Sequence, residues 1–241
     1  MPSERLLALM RERGFGEFTE IQKVAFPAVE TGENCLVIAP TGYGKTESAL
    51  VPMLDFLSSC QAGKGIRALY ITPMRALNRD MMGRIEWWCE KLGISISVRH
   101  GDTSQAERQR QARNPPQLLI TTPETLQAIL PSKLLGEALK SVEKVVIDEV
   151  HELHSDKRGS QLAIALERVL EKRGGKRFQR IGLSATVGNP EGVAAFLSGG
   201  EKCRIVRIQP KRAIQLSVES PKPSSGDYEL ADRLFIDAPA A

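Results

Sequence analysis

No apolar run in the 241 residues approaches the roughly 18 that a membrane-spanning helix requires, and the start, MPSERLLALMRERG, lacks the continuous apolar centre of a secretory signal. The four cysteines, Cys35, Cys60, Cys89 and Cys203, contain no CxxC pair. That spacing argues against a zinc site or a disulfide framework, fits a reducing compartment, and leaves the cysteines to be small core residues. Neither sign of charge dominates. The 33 Lys and Arg against 29 Asp and Glu leave a net +4, so bulk charge permits a nucleic-acid partner without requiring one. Internal repeats and low-complexity blocks are missing too. These absences predict a soluble, cytoplasmic chain with no membrane partner, whose function is written in local patterns. What is present is material for a real core: 41% of the residues are hydrophobic, enough for one large α/β domain or two small ones.

Six short β-branched runs read as strands: CLVIAP (35–40), IRALYIT (66–72), ISISVR (94–99), QLLITT (117–122), KVVID (144–148) and QRIGLSAT (179–186). Between them, residues 45–59, 74–91, 104–113, 123–130 and 159–172 carry helical spacing. Strands apolar on both faces and separated by helices predict a mostly parallel sheet with helices on both faces. Right-handed crossovers then bring every strand's C-terminal end to one edge, where such sheets bind ligands. The polar residues of interest all fall at those ends. After about residue 208 the pattern fades into a Pro-, Ser- and Gly-containing stretch that reads as a linker or tail, 209–241.

The first strand runs into APTGYGKT (39–46), a phosphate-loop pattern with Ala39 in place of the usual leading Gly. Gly42 and Gly44 allow backbone conformations that let successive N–H groups curl around a phosphate. Lys45 can reach the β and γ phosphates, and Thr46 can offer its hydroxyl to Mg²⁺. The helix that starts here turns its positive dipole end toward the same anion. Tyr43, bulky for this loop, is expected to point outward.

A phosphate loop needs a carboxylate on a neighbouring strand to hold its metal, and VVIDEVHEL (145–153) supplies one where an apolar run breaks into acids. Asp148 is expected at the strand's end, with Glu149 following as the base that orients and deprotonates an attacking water. His151, Glu152 and His154 raise the rival of zinc hydrolysis, which fails on spacing, since the protease motif is HExxH and this is HExH.

These residues, in this order, resemble the first RecA-like lobe of superfamily 2 helicases, a P-loop NTPase domain, and within it most resemble the large helicase-related (Lhr) group. APTGYGKT is similar to motif I, TPMRAL (72–77) to motif Ia, TTPETL (121–126) to motif Ib, DEVH (148–151) to motif II and SAT (184–186) to motif III. GFGEFTEIQ (14–22) is similar to a Q motif, with Phe18 where Pro is usual. RHGDTS (99–104), KRGSQLAIALERV (157–169) and QRIGLSATV (179–187) carry the Lhr likeness. The resemblance implies a lobe over residues 1–208 that binds ATP and Mg²⁺. Gln22, Thr41, Gly42, Tyr43, Gly44, Lys45, Thr46 and Glu47 would meet the nucleotide, Thr46 and Asp148 the metal, and Lys45 and Glu149 would be catalytic.

The resemblance further implies that Pro73, Arg75, Arg99, Gly101, Thr103, Thr122 and Pro123 touch a single-stranded or partly duplex DNA or RNA. At such positions they can hold the backbone and not read a base. Lys157 and Arg158 could extend the track or be solvated charges. Ser184 and Thr186 would couple the two ligands, with His151 as their hydrogen-bond partner. Gln22 would read the adenine edge, yet Thr19 and Gln22 also form an S/T-x-x-Q capping box, and one side chain cannot do both at once. Trp87 and Trp88, within a helical run, are expected to cover the sheet. The arginines that close such a site come from a second RecA-like lobe, in a motif similar to QxxGRxxR. None follows Thr186, so the chain is expected to be one half of a longer motor, binding ATP and hydrolysing it poorly. The alternative is a P-loop ATPase that does not act on nucleic acid, which would leave Arg75, Thr122 and Pro123 without a role.

Overall fold

Cys35 and Val37 point to one side of their strand and Leu36 and Ile38 to the other, and both sides are buried. That pattern organises the whole molecule. The computed structural model describes residues 2–60, 65–73 and 79–208, so Arg75 and the expected tail 209–241 lie outside the described residues. The strands are β1 (Asn34–Ile38), β2 (Ala68–Ile71), β3 (Ile96–Arg99), β4 (Leu118–Thr121), β5 (Lys144–Ile147), β6 (Gln179–Ser184) and β7 (Cys203–Arg207). They form one sheet in the order β3-β4-β2-β5-β6-β1-β7, and every pairing is parallel.

Helices α1 (Glu4–Glu12), α2 (Glu20–Glu30), α3 (Lys45–Ser58) and α4 (Arg79–Leu92) bury Leu6, Phe26, Leu54 and Trp88 on the face that holds Cys35 and Tyr70. α5 (Gln105–Arg113) follows β3. α6 (Pro123–Ile129), α7 (Leu135–Ala138), α8 (Val150–Leu153), α9 (Lys157–Lys172) and α10 (Pro190–Ser198) supply the opposite core, with Leu126, Leu162 and Leu197 against Leu36, Leu69 and Ile147. Trp88 is 1% exposed and Trp87 packs edge-on against it at 5.1 Å, as their helical spacing led one to expect. Cys35 and Cys89 are buried, and burial pushes both thiols up to about 12, so they stay protonated and inert. Cys60 and Cys203 are only half-buried, short of the core placement expected for them.

Most strands end one or two residues before their sequence runs do, because β-branched and apolar residues continue into the loops that carry the motifs. Strand β7 escapes the sequence pattern: it is an edge strand in which Arg204, Ile205 and Arg207 face solvent. α9 starts two residues earlier than expected, packed so tightly that a Cβ on Gly159 would stand 1.9 Å from the Leu153 carbonyl oxygen. Gly159→Ala is therefore expected to destabilise the fold by about 2–3 kcal/mol, measured by urea unfolding, since backbone and not a yielding side chain occupies the space.

Candidate nucleotide site and nucleic-acid edge

An all-parallel sheet puts the ends of β1, β5, β6, β2, β4 and β3 on one edge, and sheet order divides their candidate residues into two groups. The loop after β1 and the acids after β5 flank Ser184 at the end of β6, while the residues after β2, β4 and β3 lie beyond β5.

The loop leaves β1 with the Ala39 amide donating to the Ser184 carbonyl at 3.2 Å and turns into α3 through two glycines with φ of 84° and 80°, Gly42 and Gly44. At Gly44 the requirement is conformational, and a Cβ there would also displace the end of the Gln22 side chain, whose Nε2 would stand 2.5 Å away. Gln22 is held from two sides. Its Oε1 accepts from the Thr19 amide at 3.1 Å, completing the capping box of α2, and its Nε2 donates to the Gly44 carbonyl at 3.3 Å. Tyr43 does not point outward as the sequence suggested. It is half-buried and packs against the core.

Lys45 opens α3 and is 7% exposed, and its Nζ has no hydrogen-bond partner. The nearest opposite charge is Glu149 Oε2 at 3.8 Å. A buried ammonium with three unmet donors is costly unless an anion arrives to meet them. Thr46 and Glu47 follow, and Glu47 is buried against Arg84, whose NH1 donates to its Oε1 at 2.5 Å.

Asp148 follows β5 directly and is 5% exposed. Its Oδ2 accepts from the Tyr70 hydroxyl at 2.8 Å and its Oδ1 from the Glu149 amide at 2.9 Å. Burial raises its carboxyl above the usual carboxylate range, opposed by the Tyr70 bond. Tyr70 is fully buried and pushed well above its ordinary value, first by burial and then by Asp148, so it remains a donor. Glu149 is the only non-glycine with positive φ among the described residues, at 48°. Such strain concentrates where function demands it. The turn sets the Glu149 carboxylate between Lys45 and His151, whose Nδ1 stands 3.4 Å from Oε2 without the alignment of a hydrogen bond.

Together these groups enclose a cleft of about 420 Å³ lined by Thr19, Gln22, Thr41, Gly42, Gly44, Lys45, Thr46, Glu47 and Glu149, and also by Phe15, Glu17 and Arg84. Sequence reading passed over the last three and Tyr70. Phe15 and Glu17 lie within GFGEFTEIQ (14–22), where no role was assigned to them, and Phe15 packs on Trp88 at 6.1 Å; Arg84 comes from α4, far along the chain, with no motif to mark it. A larger hollow of about 550 Å³ lies at the opposite edge, among Asn34, Lys144 and Gln179, away from the phosphate-loop residues and the acids after β5.

The second group is more committed than its sequence suggested. Pro73 is buried, and the preceding Thr72 hydroxyl is buried without a partner. Thr122 is 4% exposed and spends its hydroxyl as the cap of α6, where Pro123 takes the first position. The Arg99 guanidinium lies against Arg108 O and Gln111 Oε1 at 3.4 and 3.5 Å. Arg108 bonds the carbonyls of Gly101 and Thr103, holding that loop, and the Thr103 hydroxyl accepts from the His100 amide. Arg158 is paired with Glu124 at 2.5 Å, while Lys157 is exposed. Ser184 is buried and donates to the Ala185 carbonyl at 2.9 Å, and Thr186 is exposed. The expected bond from His151 to Ser184 or Thr186 is not made: the Ser184 hydroxyl is spent on the Ala185 carbonyl, and the imidazole lies beside the Glu149 carboxylate.

Residues 19–193 match the model of the DEAD/DEAH box helicase family. Over 98% of its length the chain is 38% identical to the ATP-dependent helicase Lhr-Core of Sulfolobus acidocaldarius, of which it spans 26%. Over 95% of its length it is 40% identical to the Lhr helicase/probable uracil glycosylase of Mycolicibacterium smegmatis, of which it spans 16%. Among solved structures, helicase Lhr of Mycobacterium smegmatis bound to ssDNA and AMP-PNP matches 96% of this chain and 32% of that one, at 37% identity and a TM-score of 0.77. The fold class is thus RecA-like, as the sequence led one to expect. No helix among the described residues is long and apolar enough to cross a membrane.

Proposed function

The chain belongs to the DEAD/DEAH box helicase family, and from that membership we propose that it is the ATP-binding lobe of an ATP-dependent helicase or translocase, coupling ATP hydrolysis to movement along one strand of DNA or RNA. Lys45 carries this reading: an ammonium buried without a hydrogen-bond partner, in a cleft walled by a glycine loop, is a group that awaits phosphate. The M. smegmatis relative holds AMP-PNP and ssDNA, which supports both ligand classes.

In this mechanism the loop amides from Gly42 to Thr46 and the dipole of α3 receive the phosphates, and Lys45 binds the β and γ oxygens. Phe15 offers the base an apolar ring. Glu149, held near Lys45 and His151, accepts the proton of the water that attacks the γ phosphate. The Thr46 hydroxyl and the Asp148 carboxylate fit Mg²⁺ as hard oxygen donors, Asp148 being fixed by Tyr70 and the Glu149 amide. Bound there, the ion would neutralise phosphate charge. The strand would lie across the ends of β2, β4 and β3, against Pro73, Arg75, Arg99, Gly101, Thr103, Thr122 and Pro123. Thr122, already a cap, would contribute chiefly through the orientation of α6. Ser184 and Thr186 would couple the two ligands from the strand between β1 and β5. A second RecA-like lobe would supply the arginines that neutralise the transition state.

Titration with AMP-PNP and with dT oligonucleotides tests the proposal. The chain is expected to bind both, the oligonucleotides without sequence preference and with log K falling against log salt by about 0.7 per phosphate neutralised. AMP-PNP affinity with no oligonucleotide affinity at low salt would instead leave a P-loop ATPase that does not act on nucleic acid.

A further inference from the structure

The hollow at the edge opposite the nucleotide cleft holds more positive charge than its own acids answer. Asn34, Lys144 and Gln179, the first residues of β1, β5 and β6, line it, joined by Phe56 from α3 and by Arg173 just past the end of α9. It shares no residue with the cleft.

Gln179 fixes its floor. That side chain is 5% exposed, its Nε2 donates to the carbonyls of Val29 and Glu33 at 2.7 and 2.8 Å, and its Oε1 accepts from the Lys144 ammonium at 2.5 Å. The ammonium also stands over the Phe56 ring, 5.1 Å from its centre. Lys144 thus spends one of an ammonium's three donors, and Arg173 spends two of a guanidinium's five, on the carbonyls of Lys176 and Arg177. The remaining donors have no partner among the described residues.

The carboxylate that acts on both cations is Glu143, and its Oε1 is taken by the Arg67 guanidinium. Three cations therefore share one acid. At the rim, Arg177 pairs with Glu201 at 2.9 Å and Lys202 with Glu33 at 2.8 Å, exposed pairs that neutralise nothing deeper. Burial holds the Lys144 ammonium and the Arg173 guanidinium below their ordinary proton affinities. Half-buried positive charge without a counter-ion is costly, and an incoming anion removes that cost.

Size and charge select the class of anion. A hollow of about 550 Å³ is in the range of small-molecule sites. A phosphate monoester carries about −1.5 to −2 at pH 7, enough to answer both cations, where a lone carboxylate answers one. Its several oxygens suit an ammonium and a guanidinium fork together.

We propose that this hollow binds a small phosphate-bearing anion, orthophosphate or a phosphomonoester, with Lys144 and Arg173 as its ligands and Gln179 as the residue that positions Lys144. The site stands independently of the proposed function.

The test is a ¹⁵N-resolved NMR titration of the 241-residue chain with sodium phosphate and, separately, glycerol 3-phosphate, sodium chloride holding ionic strength constant. Saturable shifts are expected at residues 32–34, 143–144 and 173–179, with a Kd of about 1 mM or below. Tighter binding of glycerol 3-phosphate than of phosphate would name an ester as the occupant, and equal or weaker binding would name the free ion. Lys144→Met and Arg173→Met should each weaken binding by about 10-fold, the loss of a charge-assisted hydrogen bond, in chains whose spectra keep their dispersion. Arg173 is half-buried beside a surface turn, so its variant carries the test if Lys144→Met does not fold. Shifts confined to residues 42–46 would place phosphate in the nucleotide cleft alone and overturn the inference. Shifts that grow without saturating, or an affinity unchanged in the folded variants, would overturn it too.

Discussion

Glu149→Gln is expected to lower ATP turnover by about 10²–10⁴-fold, the range that a lost general base accounts for, with nucleotide affinity nearly unchanged. The amide keeps the size of the carboxylate and tolerates the same left-handed backbone, at φ 48°, so the turn after β5 should survive. What it cannot do is take a proton from water. Lys45, 3.8 Å away, loses a counter-charge but gains phosphates when nucleotide binds, so binding is not compromised. The measurement is steady-state phosphate release, with and without single-stranded nucleic acid, by the lobe joined to a second one. Hydrolysis stimulated normally by nucleic acid in this variant would take the base assignment away from Glu149.

Lys45→Met should weaken nucleotide binding by about 2–5 kcal/mol, thirtyfold or more in Kd, the usual loss when one member of a buried charged pair is cut back. The unliganded protein should respond in the opposite sense. Its ammonium sits buried with no hydrogen bond, so an apolar side chain of similar length removes a desolvated charge and is expected to stabilise the fold by about 1 kcal/mol. Opposite signs of change in affinity and stability are the mark of a group held for function at the expense of the resting state. Calorimetric titration and urea unfolding of one preparation supply both numbers. A variant that is less stable and binds AMP-PNP as before would make Lys45 a structural residue.

Much of this was legible because the parallel sheet leaves a simple trace. Strands β1, β2, β4, β5 and β6 are buried along nearly their whole length, so their sequences are short and mostly apolar, and the motif residues stand where each run stops. β7 was not legible. Its exposed positions dilute the apolar signal to one buried side chain, Val206. α2 was announced by its capping box yet carries Pro27 inside it, which breaks the helical pattern without breaking the helix. The nucleotide cleft was half legible. Local motifs named the loop and the acids. Tyr70 and Arg84 arrive from other elements and are placed by tertiary packing, which no local spacing records. Arg99 and Arg158 have partners that the sequence does not announce, Gln111 and Glu124, because those pairings too are made by tertiary packing.

The double engagement of Gln22 has a consequence for how strictly the cleft chooses among nucleotides. A nucleobase that asks for the Gln22 carboxamide must take it from the Thr19 amide and the Gly44 carbonyl together. Each bond it gains replaces one of similar strength already made, so preferring one base over another rests on a small difference between near-equal exchanges. Purines and pyrimidines should therefore compete on the strength of the triphosphate they share, and ranking among them should be shallow.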